Sequence, residues 1–107
     1  MKESYVKEKI KNLLKARKVW YFMPAMGQFG RAGVPDFICC VRGRLLAIEA
    51  KVGGNIPTEL QYREIENINT AQGIAVVVNE HRLDALARLI DSMLESPYTT
   101  YTVEGFM

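Results

Sequence analysis

The chain has little of the chemistry that builds disulfide frameworks or zinc sites. It contains two cysteines, Cys39 and Cys40, and a single histidine, His81. Because the cysteines are adjacent, a disulfide framework is excluded and a reduced, intracellular setting is expected. Neighbouring strand residues point to opposite faces, and one histidine cannot complete four ligands, so no zinc site is predicted. We expect both cysteines to be core residues.

Long apolar runs, repeats and low-complexity segments are missing as well. No run approaches the roughly 20 apolar residues of a membrane-spanning helix, and the charged start has no signal-peptide core behind it. A length of 107 residues is typical of one domain. The sequence therefore predicts a single domain over residues 1–107 with a cytoplasmic location.

Charge is distributed unevenly along the chain, although the net charge is only +2. Residues 1–51 carry eleven Lys or Arg against four acids, a balance of +7, whereas residues 52–107 carry three against eight, a balance of −5. Such an asymmetry favours a surface that faces a polyanion. Helix faces that are basic in one place and acidic in another would give the same counts.

Hydrophobic periodicity and turn residues predict an α-β-β-β-α-β-α order with a mixed sheet. The predicted elements are a helix over 3–18, strands over 19–23, 36–41, 44–51 and 74–78, a helix opening at Thr58, a last helix before Pro97, and a terminal strand over 98–103. The second helix is expected to begin with a capping box of Thr58 and Gln61. Its inward face is expected to contain Leu60, Ile65 and Ile68, and the strand over 74–78 to be buried on both faces.

The two strands around Arg42-Gly43 carry the chemistry. A two-residue turn pairs Val41 with Arg44 and places Asp36 directly opposite Glu49. Carboxylates about 5 Å apart repel each other unless a cation lies between them. Lys51 projects from the same face as Glu49 by strand alternation. A three-residue turn would instead put the two acids on opposite faces.

Paired carboxylates beside a lysine suit metal-assisted hydrolysis of a phosphoester. Hard oxygen ligands favour Mg²⁺ or Mn²⁺, and Lys51 would orient water and offset charge on the phosphate. Gln61 would hydrogen-bond the water or a phosphate oxygen. Each piece also has an ordinary interpretation, because Glu-x-Lys is common as a surface salt bridge and Pro-Asp as a turn. Their shared register raises the hypothesis above those alternatives.

These residues resemble a known family. Gly33-Val34-Pro35-Asp36, then Glu49-Ala50-Lys51, then Gln61, resemble the PD-(D/E)xK nucleases, and in particular the VRR-NUC (virus-type replication-repair nuclease) domain. The resemblance covers roughly residues 3 to 80. It implies a restriction-endonuclease-like αβββαβ core and a metal-dependent DNA endonuclease acting in replication, repair or recombination.

The resemblance also implies further ligands and partners. An acid of the first helix would lie near the metal, which favours Glu3 over Glu8, although Glu3 in a frayed first turn has an ordinary explanation in the helix dipole. The main-chain carbonyl of Ala50 would be another ligand. Stand-alone phage and bacterial members look like Holliday-junction resolvases, so a homodimer that cuts branched DNA is implied.

Basic and polar residues around this site are candidates for DNA contacts. Gln28, Arg31, Arg42 and Arg44 are expected to flank the metal site, and Lys7 and Lys11 belong to a basic flank of the first helix. Contacts of this kind are independent of sequence and sensitive to salt. Solvated lysines on an amphipathic helix are an equal alternative. A non-catalytic DNA-binding module of the same fold, or an unrelated interaction domain, are the competing functions.

Overall fold

Within the part of the chain that the structure describes, the elements follow the order predicted from the sequence. The structure is a computed structural model, and residues 1–25 and 31–105 are described. The elements are α1 (Glu3–Ala16), β1 (Trp20–Phe22), β2 (Phe37–Val41), β3 (Arg44–Ala50), α2 (Glu59–Thr70), β4 (Ile74–Val78) and α3 (Leu83–Glu95). The predicted α-β-β-β-α-β-α order is confirmed.

The strands form one mixed sheet in the order β1-β2-β3-β4. β1 pairs antiparallel with β2, and β2 pairs antiparallel with β3. β3 and β4 are parallel, joined by the crossover through α2. The predicted combination of an antiparallel hairpin with a β-α-β crossover is therefore confirmed, as is an α/β fold with helices flanking a mixed sheet.

The hairpin register follows the two-residue turn. Val41 pairs with Arg44, and the ladder ends with Phe37 opposite Ile48. Arg42 and Gly43 have φ angles of 50° and 85°. Positive φ at both positions is the signature of a type I′ turn, whose twist matches that of the strands. The register that brings Asp36 and Glu49 together is thus confirmed.

The core lies on one face of the sheet, under α1 and α3. It contains one apolar residue from almost every turn of these helices and the alternate residues of β2 and β3: Val6, Ile10, Leu14, Leu86, Ile90, Met93, Phe37, Cys39, Val41, Leu46 and Ile48. Arg17 links the two helices, since its Nε donates to Asp91 Oδ1 at 2.7 Å. This pairing raises the pKa of Arg17 and lowers the pKa of the Asp91 carboxyl.

α2 packs on the other face, over the β4 side of the sheet. Its capping box is present as predicted, with Thr58 Oγ1 accepting from Gln61 N and Gln61 Oε1 accepting from Thr58 N. Ile65 and Ile68 are half-buried. The prediction for Leu60 is wrong, because this side chain is 47% exposed. The inward stripe of the helix begins one residue later, at Gln61.

Four other expectations are wrong. Cys40 is exposed, because it alternates with buried Cys39 and lies on a part of the sheet that α2 does not cover. β4 is an edge strand and only partly buried, rather than buried on both faces. Residues 98–103 form no strand and remain exposed. α1 also ends at Ala16, two residues before its predicted end.

On the outer edge of β4, a side chain of α2 forms hydrogen bonds with the backbone groups of one residue. In a parallel ladder, alternate residues turn their N–H and C=O away from the partner strand. Asn69 meets both groups of Ala75, accepting from Ala75 N at 2.8 Å and donating to Ala75 O at 3.3 Å. An amide of α2 thus replaces part of a fifth strand. Across the described ranges, no helix is long and apolar enough to cross a membrane.

Candidate functional site

The predicted site residues meet in a cleft where the hairpin strands reach the ends of α1 and α2. Its volume is about 600 Å³. The lining includes five residues of the predicted site, which are Glu3, Asp36, Glu49, Lys51 and Gln61. The cleft is bounded on one side by the segment that follows β1 and on another by the loop that precedes β2.

Asp36 lies opposite Glu49, just beyond the last residue pair of the β2–β3 ladder. Beyond Phe37 and Ile48, the next opposed pair is Asp36 and Glu49. Pro35 lies just before Asp36, and Ala50 N donates to Asp36 Oδ2 at 2.8 Å. The aspartate side chain therefore takes a position that a backbone carbonyl would fill in a longer ladder. This bond holds the carboxylate at the end of the hairpin.

Glu49 is the buried carboxyl of the site, with 2% of its surface exposed. Burial raises the pKa of Glu49 to about 7, and the neighbouring Asp36 carboxyl adds to the rise, while Lys51 opposes it. A charged carboxylate loses hydration when it is buried, and a like charge nearby disfavours ionisation further. In the absence of a cation, this side chain therefore holds its proton to a higher pH than an exposed glutamate does. An added cation would favour its charged form.

Lys51 lies on the same side as Glu49, as strand alternation predicts. Its Nζ is 3.6 Å from Glu49 Oε2, and its side chain is 14% exposed. The backbone at this point is held by Val78, whose carbonyl accepts from Lys51 N at 3.0 Å. The following turn is fixed as well, since Gly53 N donates to Glu80 Oε1 at 2.6 Å. The ammonium group is therefore presented from a well-anchored strand end.

Gln61 joins the first turn of α2 to the buried carboxyl. Its Oε1 accepts from Thr58 N at 2.8 Å, and its Nε2 donates to Glu49 Oε2 at 3.0 Å. A backbone N–H can only be accepted by the amide oxygen, so the cap forces the amide nitrogen to face Glu49. One side chain thus caps the helix and contacts the site.

Glu3 and Lys7 bring the first turns of α1 into the cleft. Lys7 Nζ lies 3.6 Å from Glu3 Oε2 and 3.5 Å from Asp36 Oδ1, so one ammonium group bridges two carboxylates. Glu8, the other candidate, is 63% exposed and pairs with Lys11. The structure therefore places Glu3, and not Glu8, beside the site. It also places Lys7 among the acids, a contact that was not predicted. The i, i+4 spacing indicates the pairing of Lys7 with Glu3, whereas its contact with Asp36 depends on how α1 packs.

Gly33 allows the loop before β2 to approach α2. It has a φ angle of +80°, and a Cβ at this position would lie 2.5 Å from Leu60 O. No side chain fits in that space, and a positive φ is unfavourable for other residues. The close approach brings the Asp36 loop against the helix turn that carries Gln61. In the sequence Gly33 stands out only as part of the motif, so this packing was not predicted.

The oxygen atoms at this end of the hairpin are of the kind that bind a hard divalent cation, but there are few of them. Asp36 and Glu49 supply carboxylates, and the N–H and C=O of Ala50 turn toward Asp36, since both groups of a strand residue point to the same side. In the described ranges, no three His, Cys, Asp or Glu side chains are grouped closely enough to hold a metal ion. Two carboxylates and a carbonyl, completed by water, suit Mg²⁺ or Mn²⁺.

The predicted DNA-contact residues are divided between the two ends of the sheet. Lys7 and Arg31 line the cleft, and Arg31 also pairs with Glu64 at 2.8 Å. Lys11 lies one turn of α1 further on and is paired with Glu8. Gln28 lies outside the described residues.

The expectation that Arg42 and Arg44 flank the metal site is wrong. They lie at the hairpin turn, separated from Asp36 by the whole of β2, which is about 16 Å of extended chain. Arg42 lies over the ring of Tyr98, 4.4 Å from its centroid. Arg44 donates to the carbonyl of Gln72 at 3.2 Å.

Comparisons of the chain with protein-family models, with curated proteins and with solved structures gave no match. A functional assignment for the chain therefore rests on the geometry and chemistry of the cleft.

Proposed function

We propose that this protein is a Mg²⁺- or Mn²⁺-dependent DNA endonuclease with a restriction-endonuclease-like core of the VRR-NUC type. The observation that carries the proposal is the convergence of Asp36, Glu49 and Lys51 at one end of the hairpin. The predicted register is the reason for this convergence, and Gln61 reaches the same carboxylate from α2.

The burial of Glu49 supports a role beyond that of an ordinary salt bridge. A surface Glu-x-Lys pair is solvated, whereas this glutamate is 2% exposed and has a pKa raised to about 7. Burying one carboxyl beside another is unfavourable, and carboxyls placed in this way are found most often at functional sites. A divalent cation would supply the missing positive charge.

Asp36, Glu49 and the carbonyl of Ala50 would hold the ion, with Glu3 as a further candidate ligand. Such an ion, when bound, polarises the scissile phosphoryl oxygen and lowers the pKa of coordinated water. Lys51 would orient the attacking water and offset negative charge on the phosphate with its ammonium group. Gln61 would hold Glu49 in place through its amide nitrogen.

The preferred substrate in this proposal is branched DNA such as a four-way junction, cut by a homodimer. Two sites related by a two-fold axis suit symmetric cuts in two strands. Contacts from Lys7 and Arg31 would meet phosphates and would carry no base specificity. The described residues present no helix that resembles a base-reading element, which favours selection by DNA structure.

The direct test is cleavage of four-way junction, flap, duplex and single-stranded DNA with Mg²⁺, Mn²⁺ or EDTA. We expect metal-dependent cleavage that Lys51→Ala reduces at least about 100-fold, paired cuts in the junction, and sedimentation as a dimer. Lys9→Ala removes an exposed lysine of α1 and serves as the matched control. Cleavage that survives Lys51→Ala or EDTA would overturn the mechanism. DNA binding without cleavage under any metal would leave a non-catalytic module.

A further inference from the structure

We infer that the protein binds unpaired bases of single-stranded DNA on an aromatic strip beside the metal site, an inference that rests on the proposed nuclease function. The strip consists of Trp20 and Phe22 of β1 with Ile38 and Cys40 of β2. These residues share the face of the sheet on which α2 packs, but α2 lies over β4, at the other side.

The two aromatic rings of the strip are open to solvent. Trp20 is 62% exposed and Phe22 is 46% exposed. Tyr21, between them, turns to the core face and packs on Phe37 with ring centroids 6.0 Å apart. Trp20 and Phe22 contact each other instead, with centroids 5.8 Å apart and planes at 64°. Two large apolar rings side by side on an outer face are not stabilised by packing in the core. Their exposure points to a binding role.

The strip continues directly from the cleft. Phe22 pairs with Ile38 in the β1–β2 register, and Ile38 is two residues from Asp36, about 7 Å along the strand. Met23 and Pro24, which follow Phe22, line the cleft itself. A strand of DNA whose phosphate lay at the metal site would therefore pass over the two rings as it left the cleft.

Charge along this part of the chain fits a polyanion as the occupant of the strip. Residues 17–51 contain six Lys or Arg and two acids, Asp36 and Glu49. Two of the basic residues, Arg17 and Arg31, pair with acids from α3 and α2. Lys18 and Arg42 are exposed at the end of the strip away from Asp36. A DNA strand that lay along the strip would meet these basic residues with its phosphates.

Aromatic rings bind nucleic acids by stacking on the faces of bases, which are available only when the bases are unpaired. Two rings in a row offer places for two successive bases. The strip would then favour substrates with unpaired nucleotides next to the cut, such as flaps and opened junctions, over intact duplex. Selection by DNA structure would thus come from the sheet surface and not from the metal site.

The test uses Trp20, which is the only tryptophan in the sequence. The whole protein is titrated in EDTA with an eight-nucleotide thymidine oligomer and, separately, with a duplex of the same length, while tryptophan fluorescence is recorded. We expect strong quenching by the single strand and little by the duplex. Equal quenching by both, or none, would overturn the inference.

Substitutions separate stacking from general attraction. We expect Trp20→Leu and Phe22→Leu each to weaken binding of a labelled oligomer, measured by anisotropy, by about tenfold. Tyr101→Leu is the matched control, because Tyr101 is 79% exposed and lies in the segment after α3. Unchanged binding in both strip variants would refute stacking. A shift from dimer to monomer in either variant would make the strip a subunit interface and would also refute it.

Failure of this inference can be told apart from failure of the proposed function. Metal-dependent cutting without quenching would leave the nuclease and remove the strip. Quenching with the expected loss in the strip variants, but no cleavage with Mg²⁺ or Mn²⁺, would retain the strip as a single-strand binding surface and remove the nuclease.

Discussion

Glu49 links the stability of the protein to pH, because it is a buried carboxyl with a raised pKa. Its pKa is about 7 in the folded protein and 4.5 ordinarily. Between these values the folded state holds a proton that the unfolded state has released. The contribution of Glu49 to the free energy of unfolding in the absence of metal therefore falls as the pH rises through this window.

We expect this contribution to fall by about 3 kcal/mol between pH 4.5 and pH 7 and to level off above. Urea unfolding in EDTA at a series of pH values, compared between wild type and Glu49→Gln, isolates the effect because the amide does not titrate. Glu66→Gln, on an exposed part of α2, should retain the wild-type dependence. A wild-type curve parallel to that of Glu49→Gln would contradict the burial argument. Saturating Mg²⁺ should stabilise the wild type more at pH 8 than at pH 5.

The close approach of Gly33 to α2 leads to a second prediction for a single residue. Gly33→Ala would place a Cβ 2.5 Å from Leu60 O at a φ of +80°, so we expect a loss of about 2–4 kcal/mol in the free energy of unfolding. Gly54→Ala is the matched control, since a Cβ there meets nothing within 4 Å, and it should change stability by less than about 0.5 kcal/mol. Chemical denaturation measures both. Similar values for the two variants would show that the loop does not need this approach.

The grouping of Asp36, Glu49 and Lys51 could be predicted from the sequence because a two-residue turn fixes which residues of the two strands lie opposite each other. Alternation along each strand then decides which side chains share a face. The bridging position of Lys7 could not be predicted in the same way, because it depends on how α1 lies across the end of the sheet. That placement is a tertiary property of the packed core.

At the scale of elements, local signals predicted the order well and failed where a partner surface decides the outcome. The capping box fixed the start of α2 from Thr58 and Gln61 alone. Leu60 was assigned to the inward face because it is apolar, yet the inward stripe begins with Gln61, which serves the site. Residues 98–103 are rich in β-forming side chains, but β-propensity reflects packing on a sheet, and Tyr101 is 79% exposed.

The edge of β4 yields a prediction for this scale. Asn69→Ala would remove both bonds to Ala75 and leave its N–H and C=O without this partner, so we expect a loss of about 1–3 kcal/mol. Faster amide hydrogen exchange at Ala75 should accompany it. Asn67→Ala removes a weaker contact, a 3.4 Å bond to Glu64, and should have a smaller effect. Equal exchange rates at Ala75 in both variants would contradict the edge-capping role.

For the whole molecule, the small net charge conceals two different halves. The basic half carries Asp36, Glu49 and Lys51, and the acidic half supplies the crossover helix, β4 and α3. The counts were readable from the sequence, and so was the split of the basic residues between cleft and hairpin turn. The predicted strand over 36–41 already separates Arg42 from Asp36, so the expectation that Arg42 flanks the metal site was inconsistent with it.

This distribution predicts how DNA binding responds to salt. Binding to duplex in EDTA should weaken steeply as salt rises, with a slope of about −0.9 in log–log form for each phosphate contact. Arg31→Ala should reduce that slope by about 1, because Arg31 is 71% exposed at the cleft. Arg88→Ala, at an exposed position of α3, should leave it unchanged. A slope that is equal in wild type and Arg31→Ala would remove Arg31 from the interface.

The double use of the Gln61 amide has a consequence for the working temperature of the site. Its orientation toward Glu49 depends on Thr58 N remaining in the cap, and the first turn of a helix is the part that frays first on heating. Once the turn opens, the amide is free to rotate, and Glu49 loses the one side-chain hydrogen bond that it accepts among the described residues. The Glu49 side chain would therefore lose this support by local melting, at temperatures where the sheet and the core helices are still intact.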